Sequence, residues 1–276
     1  MIPDMATSCL LLRVGETKKL KEFYENGKMA FSCPWNWINY CINEGNSTIG
    51  DINECPYQVC FDGYAVLNTN KFLLTDFNDQ SKMIHRMSTV LTPAYCFFSV
   101  DPEWVNNEYE FDICKYCHEM NILNLKGQSF LFILDIDAFK EDLFSSLQAL
   151  KTIKGRKFEY DDKKEHIKLV EYKDDIYGPN ENEIFIKNRK YEYQHEARIV
   201  LPEYTFEKEL GYISFELTLK NAKNYSRVVT AKIMSRLKFS RKDGKIIGQI
   251  MYTKAKLIDE NKNENKNENK NEKSNH

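Results

Sequence analysis

YEYQHEARIVLP, residues Tyr191 to Pro202, ends as an alternating strand that turns Ala197, Ile199 and Leu201 to one side and Gln194, Glu196 and Arg198 to the other. On its own this reads as a half-buried strand with a wet outer face and cross-strand ion pairs. A glutamate between a glutamine and an arginine is also a constellation that can do chemistry, so the reading depends on what the flanking chain supplies.

Upstream, Leu10–Val14 reads as a short apolar strand, and ETKKLKEFYENG follows as a helix with Leu20, Phe23 and Tyr24 on one face. Gly27 stands where a left-handed C-cap belongs. KMAFS gives a second strand that Pro34 ends, and residues 35–63 show no period, which predicts a long loop region. NTNKFLLTDFNDQSKMIHRMSTVL reads as helical in its later part, and AYCFFSV as a buried strand. QSFLFILDIDAF reads as a further strand, leading into a helix at DAFKEDLFSSLQAL. KFEYDD and IKLVEY read as antiparallel strands about a turn, and YISFEL as one more strand. Helices and strands mix without βαβ alternation, so the fold class is α+β with mainly antiparallel sheets.

The composition is that of a folded protein: 276 residues, 42% of them hydrophobic, with a formal net charge of −2 that names no partner. One domain is expected over 1–257. The repeat ENKNENKNENKNEK has no apolar residue to offset its ordering entropy, so 258–276 is expected to be a disordered tail. The opening residues carry no basic region and no small-residue cleavage site, and no apolar run is long enough to cross a bilayer. A cytoplasmic protein with no membrane partner is therefore expected, its eight cysteines reduced.

Several motifs favour ordinary roles. CKYCH, Cys114 to His118, has the haem-attachment spacing, but without an export signal it reads as plain cysteines. Asp135 and Asp137 share a strand face, as two-metal chemistry needs, yet the residues before them leave no room for the helix that chemistry uses, and they read as helix-capping residues. No metal site is expected. No phosphate-binding glycine loop, HExxH or GxSxG occurs. From Ala231 to Leu257 eight Lys and Arg stand against Asp243 alone, with Phe239 and Tyr252 among them, a composition suited to single-stranded nucleic acid or to a solvated basic face.

The order of three segments resembles the ADP-ribosyltransferase fold, in which separated strands with split antiparallel sheets and flanking helices build one NAD cleft. LLRVGE supplies Arg13, FSCPWNW supplies Ser32 with Trp35 and Trp37 beyond, and QHEARIVLP supplies Gln194 and Glu196. The similarity is greatest to bacterial toxin and phage-defence members. It implies that Glu196 stabilises the oxocarbenium-like ribose as nicotinamide leaves, that Gln194 orients the acceptor, that Arg13 pairs with the NAD phosphates, and that Ser32 holds the nicotinamide ribose. Here Cys33 and Pro34 follow Ser32, where the family's second segment is richer in hydroxyls. His195, between Gln194 and Glu196, reads as a partly buried structural histidine.

The function so implied is NAD-dependent ADP-ribosyl transfer to a macromolecular acceptor, protein or nucleic acid held by the basic 231–257 segment. A toxin or anti-phage effector is the implied role, with an antitoxin or chaperone as a further partner. Glu196→Gln is then expected to abolish turnover and leave folding intact. Two other classes stand beside it: a non-enzymatic nucleic-acid-binding module, and a catalytically inactive fold relative acting as a sensor or partner subunit.

Overall fold

A computed structural model describes residues 10–44, 53–61, 71–78, 80–100, 110–112, 127–174, 179, 182–208, 211–230, 236–242 and 245–251. It shows an α+β protein in which the sheets are almost wholly antiparallel. The cysteine pair of CKYCH and the repeat at 258–276 lie outside the described residues.

The chain opens with β1 (Leu10–Glu16), α1 (Thr17–Asn26), β2 (Lys28–Phe31) and α2 (Pro34–Glu44). Next come β3 (Gln58–Phe61), β4 (Phe72–Asn78), β5 (Ser81–Arg86), the one-turn α3 (Met87–Val90), β6 (Ala94–Val100) and β7 (Glu110–Asp112). β8 (Gln128–Ile133), α4 (Ile136–Ala149), β9 (Thr152–Ile153), β10 (Arg156–Lys157), β11 (Ile167–Leu169), β12 (Glu171–Lys173) and β13 (Ile186–Asn188) follow. The chain continues through β14 (Glu196–Val200), β15 (Phe215–Thr218), α5 (Ala222–Tyr225), β16 (Ser226–Thr230), β17 (Arg236–Lys242) and β18 (Lys245–Met251).

Six strands make the central sheet in the order β11-β14-β6-β1-β8-β16. Residues directly opposite in an antiparallel pair share a face. Pairing of Leu12 with Phe98 and of Phe98 with Glu196 therefore puts those three on one side. Leu11, Phe97, Leu131 and Ala197 go to the other, where Leu20 and Phe23 of α1 and Phe139, Leu143 and Leu147 of α4 complete the main core. Asp142 ties α4 to the turn before α5, accepting from the Lys220 and Asn221 amides and from the Tyr225 hydroxyl, the last at 2.9 Å.

The sheet splits along one seam. β1 pairs with β6 only from Leu10 to Leu12, while its pairing with β8 runs on to Glu16. Beyond the split, β6 is met instead by Ser32, whose amide and carbonyl both bond Ala94.

Three predicted segments differ. Pro34 does not merely end β2; it opens α2, because proline's fixed φ suits a first helical turn. Phe72–Asn78 and Ser81–Arg86 pair as the β4–β5 hairpin, so the later part of that segment is helical only over Met87–Val90. KFEYDD is extended only at Lys157, the end of β10, which pairs with β9; β11 pairs with β14, and β12 lies parallel to β13.

Gly27 is the left-handed cap of α1, with φ 70°, and a Cβ there would sit 1.8 Å from the Leu219 carbonyl oxygen. The backbone clash adds to the conformational strain. Gly27→Ala is expected to cost at least about 3 kcal/mol of unfolding free energy, measured by urea denaturation.

Candidate functional site

Glu196 opens β14, and the whole strand is buried, so the polar row of the quoted stretch is not a wet face. Its carboxylate belongs to a closed ring of four charges. Arg198 Nε donates to Glu196 Oε1 at 2.5 Å, and Arg198 Nη2 donates to Glu54 Oε1. Lys187 lies 3.1 Å from Glu196 Oε2 and 3.3 Å from Glu54 Oε2, closing the ring. Two cations and two carboxylates balance. All four side chains are buried, Arg198 at 0% exposure.

The remaining valences are filled from neighbouring elements. Arg198 Nη1 donates to the Ile184 carbonyl at 2.6 Å, and its guanidinium stands 5.5 Å from the Trp37 ring centroid. The Glu196 amide donates to the Tyr172 hydroxyl at 2.8 Å. Burial works against ionisation of Glu196, but the charges of Arg198 and then Lys187 outweigh it and hold the carboxyl well below the usual range. Burial also opposes the Arg198 charge, and Glu196 and Glu54 outweigh that in turn, raising its pKa. Cys96, beside the ring, is pushed up by burial and then by Glu196.

Gln194 meets Glu196 by a route other than strand alternation. It ends a short 3-10 turn, Arg189–Gln194, and its Oε1 accepts from Lys187 Nζ at 2.7 Å. The same ammonium thus holds both candidate residues. His195 between them is exposed, not partly buried, and adopts a left-handed φ of 39° as the chain turns into β14.

The other two candidates sit elsewhere. Arg13 falls on the core face of the sheet, opposite Glu196, because Leu12 shares the Glu196 face and Arg13 is its neighbour in the strand. Its guanidinium donates to the Cys96 carbonyl and lies 4.0 Å from the Tyr95 ring centroid. It bridges the seam where β1 leaves β6, supplying a donor to a carbonyl in the gap. Arg13 and Glu196 therefore stand on opposite faces of the sheet and do not converge. Ser32 is buried, and its Oγ accepts from Asn36, which also clasps the Ile213 backbone through Nδ2 and Oδ1. The second segment approaches the charge ring through Trp37 rather than through Ser32.

The sequence reading missed Glu54 and Lys187. Glu54 lies 144 residues from Arg198 in a stretch without periodicity, so no local pattern marks it. Of the basic segment, residues 236–242 and 245–251 are described; they form a hairpin whose β17 sets Arg236 opposite Asp112 and Lys238 opposite Glu110 on β7. Asp135 is a helix cap, accepting from the Ala138 amide at 3.0 Å. Among the described residues, no helix is long and apolar enough to cross a membrane, and no three His, Cys, Asp or Glu gather to hold a metal ion. Compared with protein-family models, curated proteins and solved structures, the chain matches none.

Removing one member of a buried, balanced ring strands its partner charge, at about 3–5 kcal/mol. Lys187→Met is expected to lose stability by about that amount in chemical denaturation, and Glu196→Gln by a comparable amount. Glu196→Gln is thus expected to weaken the fold rather than to leave it intact.

Acid destabilises through two groups. Glu196 titrates below its unfolded value of 4.5, so its contribution is present above that pH and is lost as pH falls. His85 is wholly buried between Thr75 Oγ1 and the Glu54 carbonyl, and burial lowers its pKa to about 4. The unfolded chain takes up this proton near pH 6.5, so stability is full above 6.5 and drops by roughly 3 kcal/mol towards pH 4. A folded His85→Gln variant should lose that part of the slope in denaturation series from pH 7 to 4.

Proposed function

We propose that this protein is an ADP-ribosyltransferase-like enzyme that consumes NAD, with its reactive centre at Glu196 and Gln194. The observation that carries the reading is the pairing of an ionised Glu196 with Gln194 on the single ammonium of Lys187. Stabilising a ribosyl oxocarbenium needs a carboxylate charged at neutral pH, and Arg198 and Lys187 keep this one charged. The seam between β1 and β6 agrees with a split-sheet architecture, and Trp37 brings the second segment near the third. Arg13 has no part in phosphate binding in this form of the proposal; that role passes to cations on the Glu196 side.

In this reading Gln194 orients an external acceptor, protein or nucleic acid, and a toxin or anti-phage effector is the biological role that fits. A second reading is favoured by a specific observation: both Glu196 oxygens are already committed to cations, and Arg13 lies on the opposite face. That arrangement suits a relative that has kept the sheet and lost turnover, serving as a sensor or partner-binding subunit.

Labelled NAD incubated with the protein, cell lysate and nucleic acid separates the two. The enzyme reading expects released nicotinamide and a labelled acceptor. Gln194→Ala, which removes one hydrogen bond to a charged group at a cost of about 2 kcal/mol, should keep the fold and nicotinamide release but lose most acceptor labelling. Arg13→Gln should lower stability by about 1–2 kcal/mol and leave specific turnover of the folded fraction unchanged. NAD binding without turnover selects the inactive relative; neither binding nor turnover sinks both.

A further inference from the structure

The backbone of Glu196 is clamped from one side by the segment that runs from β11 into β12. Its carbonyl accepts from the Val170 amide at 2.8 Å, and its amide donates to the Tyr172 hydroxyl at 2.8 Å. Leu169 opposite Ala197 is the last register pair of β11 with β14. A hydrogen-bonded antiparallel pair exchanges two bonds; here Val170 makes one, and the Tyr172 hydroxyl stands in for its carbonyl in the other. β12 holds Tyr172 in place by lying parallel to β13, which sets Tyr172 opposite Lys187 of the charge ring.

That structural duty uses only the acceptor side of the phenol oxygen. An amide N–H can only donate, so the hydroxyl keeps its own hydrogen for another partner. Both Glu196 carboxylate oxygens are taken, by Arg198 and by Lys187, and no described residue accepts from Tyr172. Burial and then the charge of Glu196 raise the pKa of the phenol, so it stays protonated and remains a donor. Tyr172 is partly exposed, and so is Gln194, whose Oε1 is likewise held by a group that can only donate, the Lys187 ammonium. Beside Glu196, then, two polar side chains have their acceptor ends fixed by the protein and their donor ends left for whatever enters the site.

We propose that Tyr172 is a further ligand-binding residue of the Glu196 site, its hydroxyl donating to an oxygen of the dinucleotide while Gln194 meets the acceptor. That role rests on the reading of Glu196 as a centre that takes NAD. The oxygen belongs either to the carboxamide of nicotinamide or to the ADP-ribose part, and the same donor serves both.

Isothermal titration of the full chain with NAD, and separately with ADP-ribose, tests this in three proteins. They are the wild type, Tyr172→Phe, and a chain carrying O-methyltyrosine at position 172, whose ether oxygen still accepts from the Glu196 amide but cannot donate. Tyr172→Phe is expected to bind NAD about three- to tenfold more weakly. The O-methyl protein should lose at least as much, because its methyl group also stands where the ligand oxygen belongs, while its urea midpoint stays near that of the wild type. It carries the test if Tyr172→Phe does not fold. An equal loss with ADP-ribose places the oxygen in the ADP-ribose part; a loss with NAD alone places it on nicotinamide. Wild-type affinity for NAD in the folded O-methyl protein overturns the role of Tyr172 and leaves the NAD reading untouched, a purely structural Tyr172 being the result. Failure of the wild type to bind either ligand at millimolar concentration overturns both.

Discussion

The constraint on which the rest of the structure leans is the desolvation of Arg198. A guanidinium at 0% exposure is tolerable only if every face of it is answered, and here each is: Glu196, Glu54, the Ile184 carbonyl and the Trp37 ring. Those partners come from β14, the turn before β3, the short turn before β13, and α2. One side chain thus sets where four separate stretches of chain must stand. Lys187 completes the neutralisation; without it two carboxylates would share one cation. Glu54 passes the constraint onward, because its carbonyl holds His85 of β5 and so ties in the hairpin that β5 forms with β4.

This explains what could be read from sequence and what could not. The alternation in QHEARIVLP gave the two faces of β14 correctly, since Ala197 and Ile199 reach the core and Glu196 and Arg198 turn away from it. What alternation cannot say is whether the second face is wet. That depends on Glu54 and Lys187, one of them far away in sequence, and the polar row became a second interior. The hairpin at 71–86 was hidden for a different reason. Phe72, Leu73, Met83 and Ile84 fit a helical face as well as two strands, and only the cross-strand pairing decides between them. Gly27 and Asp135 were legible because caps are local: a left-handed glycine and a side chain bonding three residues ahead need no distant partner.

The site candidates divide along the same line. Gln194 and Glu196 do come together, but not by strand alternation: a 3-10 turn and the left-handed His195 interrupt the strand, and Lys187 makes the connection instead. Arg13 stands apart from them because strand parity is unforgiving. Pairing of Leu12 with Phe98, and of Phe98 with Glu196, fixes Arg13 on the far side of the sheet, whatever the order of segments along the chain.

The charge ring also limits how Glu196 could act on a substrate. A carboxylate whose two oxygens already face Arg198 and Lys187 has its charge spent on them, and a developing cation must compete for it. An anionic ligand arriving with that cation changes the balance, because phosphate oxygens can take over one of the cations and free a carboxylate oxygen without leaving any charge unanswered. A neutral or purely cationic ligand cannot do this. On the proposed reading, chemistry at Glu196 would be coupled to anion binding by the ring itself, and a dinucleotide would bring both an anion and a cation in one molecule.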